Sequence, residues 1–328
     1  MPENFPDFKK EFGYGGFIQL DHHRPGFANM RLDTGKFFRE IESNCWDPIV
    51  RIEDLIQTNV DVQVLSTIPV LFSYWTKPKH GLKVSEYLNN HIANITDKYP
   101  DRFVGLGTLP MQDPDLAIEE LRRCVVDLGI TGIQIGSHIN SKGLEDKGFH
   151  KLYKLAQELD VSIFVHPWDM PYQEEKYWAG WLVGMPAETS LAITSLIFGG
   201  IFDKFPKLRW AFAHGGGSFP ATIGRVEHGF NVRPDLCAVD NNVNPREYLG
   251  KFWIDSLVHD SKALTYLIDL FGSNRVALGS DYPFPLGEHV PGALIDSMVN
   301  LTQDEKTNLL SKSAFEWLNL SYSDFAKS

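Results

Sequence analysis

From about residue 60 onward one rhythm governs the chain: a short apolar, β-branched run, a turn, then an amphipathic stretch. The runs that read as strands are Val62–Ser66, Phe103–Leu109, Gly132–Gly136, Val161–His166, Leu208–His214, Phe252–Ser256 and Val276–Asp281. Segments such as VSIFV and WAFA are near-continuous apolar runs. Strands of a parallel sheet covered by helices on both faces require that pattern. The stretches between them have helix ends. Asp113-Pro114 supplies an N-cap and a first-turn proline, Leu121, Cys124, Val125 and Leu128 recur at helical spacing, and Gly129 closes the helix. Phe149, Leu152, Leu155, Ala156 and Leu159 then share one face before Val161 opens the next strand.

Seven such units predict an α/β fold, a TIM-like (β/α)8 barrel short of its first strand. A doubly wound sheet also accommodates seven strands, although no G-x-G-x-x-G follows any of them. Residues 4–60 read as an N-terminal insertion of loops and helix. With no linker or low-complexity tract, the expectation is one domain over residues 1–328, irregular over 1–60 and barrel-like over about 61–320.

Charge and cysteine usage narrow the function. Against 42 acidic residues stand 31 basic ones, a net charge of −11. That balance argues against nucleic acid as a partner, which needs a basic surface, but not against a small anion held by local arginines. Cys45, Cys124 and Cys237 form no C-x-x-C pair, so neither a disulfide scaffold nor a thiolate zinc site is expected. The first twenty residues lack an apolar signal core, and the uncharged stretch from Thr189 to Phe202 is shorter than the roughly 20 residues of a membrane span. A cytosolic protein without membrane contact is expected.

Polar residues recur where the strands end. His166 closes VSIFVHP, His214 closes WAFAHGGG, Asp255 ends FWID and Asp281 closes VALGSDYP. The strand C-termini of a barrel converge on one mouth. There two histidines and a carboxylate bind a divalent metal or share proton transfer. His22 and His23 are adjacent and diverge, which reads as a loop pair, while His80, His228, His259 and His289 have no matching partner. The run Gly215–Gly217 either permits a tight turn or lets a substrate approach the backbone; it lacks the Lys-Ser/Thr of a phosphate loop. Arg39, Arg225 and Arg233 are candidate carboxylate handles through forked hydrogen bonds. Tyr177, Trp178 and Trp181 either wall a planar ligand or pack a loop.

At these residues the chain resembles a known family. The segments NCWDP (44–48), LSTIPVLFSYW (65–75), RFVGLGTLPMQ (102–112), FVHPWDM (164–170), LVGMPAET (182–189), FAHGGGSFP (212–220) and LGSDYPFPLGE (278–288) are similar to the 2-amino-3-carboxymuconate-6-semialdehyde decarboxylases of the amidohydrolase superfamily. The resemblance covers essentially the whole chain. It implies a metal-dependent barrel and a zinc-assisted, non-oxidative decarboxylation in tryptophan breakdown through the kynurenine pathway, away from quinolinate and NAD synthesis. It further implies His166 and Asp281 as metal ligands, with Asp281 also in the catalytic set. His214 then becomes the general acid/base, and Arg39 and Arg225 the carboxylate arginines, Arg225 reaching across a homodimer interface. Trp181 and Phe284 line the substrate pocket.

The sequence departs from the family at its start. Relatives begin with a strand ending in His-x-His, ahead of a segment like MPENFPDFKK; that strand is absent here, in agreement with the missing eighth strand. Zinc held by two ligands instead of the usual three would bind weakly or not at all. A gene model or isoform starting at an internal methionine, a trimmed chain and a non-catalytic variant are the open explanations, and the spacing of His22-His23 is wrong for a replacement. The alternatives in function are a non-catalytic barrel that dimerises and a related decarboxylase or hydrolase of the same superfamily.

Overall fold

The computed structural model describes residues 1–170 and 176–325. Cα packing divides it into two compact units, Met1–Ile130 and Thr131–Asp324.

The first unit corrects the reading of residues 4–60. They hold a three-stranded antiparallel sheet of β1 (Ile18–Arg24), β2 (Phe27–Leu32) and β3 (Phe37–Glu42), with short helices around it. Ala28 and Met30 of β2 are fully buried while their neighbours are not, so the sheet has one covered face and alternates as an antiparallel meander does. Its strands carry charges at the alternate positions and contain no continuous apolar run. Its turns lie at Pro25-Gly26 and Thr34-Gly35, with Gly26 at φ 76° and Gly35 at φ 92°. Beyond the meander, β4 (Gln63–Leu65) and β5 (Phe103–Gly107) run parallel, and the helix Pro78–Lys98 that joins them buries Val84, Leu88 and Ile92 on one face. As the sequence indicated, Asp113 caps the helix Pro114–Val126, accepting from the N–H groups of Asp115 and Leu116.

The second unit holds five parallel strands: β6 (Gly132–Gly136), β7 (Ser162–His166), β8 (Trp210–Phe212), β9 (Trp253–Asp255) and β10 (Val276–Ala277). Each is hydrogen-bonded to the next in sequence, β6 to β7, β7 to β8, β8 to β9 and β9 to β10. A doubly wound sheet reverses its strand order at a switch point; a barrel keeps adding strands in one direction. The unreversed order decides for the barrel. With β4 and β5, the described residues supply seven parallel strands, one fewer than a closed (β/α)8 barrel.

Ile133, Ile135, Ile163, Val165, Phe212 and Ile254 are fully buried along these strands, which explains the continuous apolar runs. Trp210 is the largest fully buried side chain and meets the edge of Tyr153 at 5.2 Å between ring centroids. Trp210→Ala is expected to cost about 3–5 kcal/mol through the cavity it opens, read as a lowered midpoint in chemical unfolding.

Every strand but Gly132–Gly136 is shorter than the sequence suggested, and at two of them this moves a site residue. β8 stops at Phe212 and β10 at Ala277, so His214 and Asp281 do not close strands but sit in turns beyond them. One helical run, Lys176–Phe198, is longer than the uncharged stretch Thr189–Phe202. It spans 23 residues, and an 18-residue window within it reaches a mean hydropathy of 1.3, long and apolar enough by length and composition to cross a membrane. It nevertheless carries Glu188, buried and hydrogen-bonded inside the unit. All three cysteines are free.

Candidate metal centre

Three of the strand-end residues singled out above meet in the second unit. His166, His214 and Asp281 each offer a ligand atom, and those atoms lie within 4.8 Å of one another. His166 ends β7 and donates from Nδ1 to the carbonyl of Pro167 at 2.7 Å, which fixes the tautomer and leaves Nε2 with its lone pair. His214 stands edge-on to it, with ring centroids 4.9 Å apart. Burial, then the charge on His214, lowers the pKa of His166 to about 3; burial, then the charge on His259, lowers that of His214 to about 4. Both imidazoles are therefore neutral near pH 7.

The His214 turn is built of left-handed backbone: His214 at φ 58°, Gly215 at 63°, Gly216 at 76° and Gly217 at 63°. The glycine run forms a tight turn. A Cβ on Gly217 would stand 2.3 Å from the carbonyl oxygen of Pro186, so only glycine fits there. Asp281 is also left-handed, at φ 48°. Non-glycine residues seldom adopt that conformation, and at a site it aims a side chain that an extended strand would point elsewhere.

Two neutral imidazoles and a carboxylate suit a divalent cation of the zinc–manganese kind, which takes nitrogen and oxygen ligands and needs no thiolate. The donor set fits a catalytic ion, because three protein groups leave positions open.

The remaining candidates are distributed. Arg39 lies in the first unit on β3, its guanidinium 5.2 Å from the centroid of Phe38. Arg225 is exposed on the helix Phe219–Val232 and has no ion-pair partner among the described residues. Arg233 is exposed and paired with Asp235 at 2.7 Å, which removes it as a free handle. Trp181 is half-buried and stacks with Trp178, ring centroids 6.1 Å apart. Phe284 follows Asp281 in one turn, its N–H donating to the Asp281 carbonyl at 2.9 Å. His22 and His23 are strand residues of β1, which corrects their loop reading, and they diverge as expected. His22 contacts the Glu3 carbonyl at 2.8 Å, and His23 lies 2.9 Å from a Glu40 carboxylate oxygen. His259, read as partnerless, donates to the Leu286 carbonyl at 2.8 Å.

Two features escaped the sequence reading. Asp255, seen only as one more strand-end carboxylate, is turned onto the His214 loop as a hydrogen-bond acceptor. Burial raises its pKa to about 6, against the pull of its backbone N–H donors. The second is a pair between buried Glu188 and His138, Oε2 to Nδ1 at 3.0 Å, with Ser137 Oγ donating to the same carboxylate at 3.2 Å. The available signal was the IGSH segment, a histidine just past a strand end as in VSIFVHP.

Residues 21–320 match the Amidohydrolase family. The chain belongs to that family. Among its relatives, the 2-amino-3-carboxymuconate-6-semialdehyde decarboxylase of Dictyostelium discoideum is 56% identical over 322 residues, covering 98% of this chain and 89% of that one. The protein of the same name from Caenorhabditis elegans is 42% identical, over 98% of this chain and 92% of its own. A solved structure of 5-carboxyvanillate decarboxylase from Novosphingobium aromaticivorans, complexed with manganese and 4-hydroxy-3-methoxy-5-nitrobenzoic acid, superposes with a TM-score of 0.76 at 26% identity. It covers 83% of this amidohydrolase and 80% of its own chain.

Proposed function

We propose that the protein is a metal-dependent carboxy-lyase that converts 2-amino-3-carboxymuconate 6-semialdehyde to 2-aminomuconate 6-semialdehyde. The observation that carries this reading is the His166–His214–Asp281 cluster in a chain 56% and 42% identical to two decarboxylases named for that substrate. Zinc is the proposed ion. The proposed setting is cytosolic tryptophan catabolism by the kynurenine route, drawing flux from quinolinate and NAD synthesis. Residues 1–328 serve as one catalytic domain.

His166, through the lone pair left on Nε2, and Asp281 would hold the ion. A bound divalent cation acidifies water to about pKa 7 and polarises oxygen. The chain's own residues do the rest. Loss of CO₂ from an unsaturated carbon leaves an electron pair there, so a proton must be delivered before or as the bond breaks. His214, neutral near pH 7, accepts a proton at one step and returns it at the next. The substrate's two carboxylates need two cations. Arg39 and Arg225 fill that need through their planar forks, Arg225 from the neighbouring protomer of a homodimer, in keeping with its exposure and lack of a partner among the described residues. Trp181 and Phe284 wall the pocket, with Asp281 acting in catalysis as well as holding the ion.

The zinc-loaded protein is expected to consume the aminocarboxymuconate semialdehyde chromophore with stoichiometric CO₂ release. A substrate panel including 5-carboxyvanillate and dihydroxybenzoates tests specificity. Turnover of the aromatic acids with none of the semialdehyde overturns the substrate assignment, and no turnover of any of them overturns the reaction class.

A further inference from the structure

Successive backbone N–H groups in a turn conformation converge into a concavity that binds anions. His214 and Gly215 form one, and the anion in it belongs to the chain. Asp255, the last residue of β9, accepts from the His214 N–H through Oδ2 at 2.9 Å and from the Gly215 N–H through Oδ1 at 2.8 Å. The same Oδ1 accepts from the Leu257 N–H at 3.1 Å. The carboxylate is also held from behind. A Cβ on Gly279 would stand 2.7 Å from both Cβ and Cγ of Asp255, so the side chain lies directly on that glycine's backbone, two residues before Asp281. The adjacent Ser256 hydroxyl accepts from the Gly279 N–H at 3.2 Å, and the Ser256 N–H donates to the Ala277 carbonyl at 2.8 Å. Val258, just beyond, would lie 2.5 Å from a Cβ on Gly215. The Asp255–Val258 segment thus touches both the turn that carries His214 and the strand extension that leads to Asp281.

We propose that Asp255 is a positioning residue for His214: its carboxylate occupies the N–H concavity of the turn and fixes the imidazole against His166 and Asp281. A histidine in the left-handed region carries backbone strain and persists only where its surroundings over-determine it. Here the over-determining group is one carboxylate with two oxygens, each committed to a different N–H of the turn. The inference rests on the reading of His214 as the proton carrier.

Asp255→Asn tests it with almost no change in volume. An amide has one acceptor oxygen, so its NH₂ must face an N–H of the turn in either orientation. In the full-length, metal-loaded protein, kcat is expected to fall by about 30–100-fold with KM within about threefold, the cost of about 1 Å of misplacement. Two further readouts separate positioning from mere support of the fold. In a His214→Ala background the same substitution should lower kcat by less than about twofold, because its effect passes through the missing imidazole. Backbone amide exchange at residues 214–215, measured without substrate, should accelerate by about tenfold or more. Asp255→Glu keeps the charge but sets it one methylene too far, and should show the same loss and the same exchange. A kcat within threefold of wild type in either folded variant, additive losses in the double variant, or unchanged exchange at 214–215 would each overturn the proposal. A wild-type protein inactive on the semialdehyde overturns the proposed reaction instead, and the exchange comparison then decides the Asp255 contact alone.

Discussion

His214→Ala is expected to lower kcat for the semialdehyde by about 10²–10⁴-fold, the range that a positioned acid–base group supplies, while KM changes by less than about threefold. The split follows from what the residue touches. Its ring faces His166, and its donor atom lies within 4.8 Å of those of His166 and Asp281. The proposed substrate anchors, Arg39 and Arg225, lie on other elements and are left intact. An imidazole held near pKa 4 by burial is almost wholly in the base form at pH 7, so no fraction of the protein waits in the wrong protonation state. Metal stoichiometry in the variant, read by elemental analysis, divides the roles. An ion retained with kcat lost marks His214 as the proton carrier. Loss of the ion with kcat marks it as a third ligand beside His166 and Asp281, and the assignment of His214 as the proton carrier then fails.

How much of this was legible follows from the kind of signal each element leaves. Parallel strands covered on both faces read as near-continuous apolar runs, so β5, β6 and β7 stood out, and β6 matches its sequence bounds without change. The meander at Ile18–Glu42 hides the same physics behind charges, because only one face is covered and residues such as Asp21, Arg31 and Glu40 occupy the open one. The strand order that separates a barrel from a doubly wound sheet is a tertiary fact with no local signature. The metal cluster was legible because His166, His214 and Asp281 each follow a recognisable apolar run. The role of Asp255 was not, since a carboxylate at a strand end looks the same whether it faces a cation or two backbone N–H groups. The left-handed conformations of His214 and Asp281 also leave no mark in the residue types. Only the neighbouring glycines hint at the first of them.

Removing Asp281 is expected to abolish both metal binding and turnover. Asp281→Ala deletes the one carboxylate in a cluster whose other two members are uncharged near pH 7, so the site loses its only formal negative charge along with a ligand. Loss of an outer partner of a metal ligand already costs about 10–100-fold in affinity, and loss of the ligand itself should exceed that. Divalent-metal affinity is therefore expected to fall by more than about 100-fold in a chelator-competition titration. The variant should stay folded, because Asp281 lies beyond the end of β10 and the fully buried strand residues are untouched. The wild-type protein offers the reversible counterpart: dialysis against a chelator should remove activity, and zinc or manganese should restore it. Asp281→Asn sharpens the test. It preserves shape and one oxygen donor while removing the charge, so affinity lost in the asparagine variant measures the electrostatic share of binding. Unimpaired metal affinity in both variants would move the ion away from this cluster and take with it the assignment of His166 as a ligand.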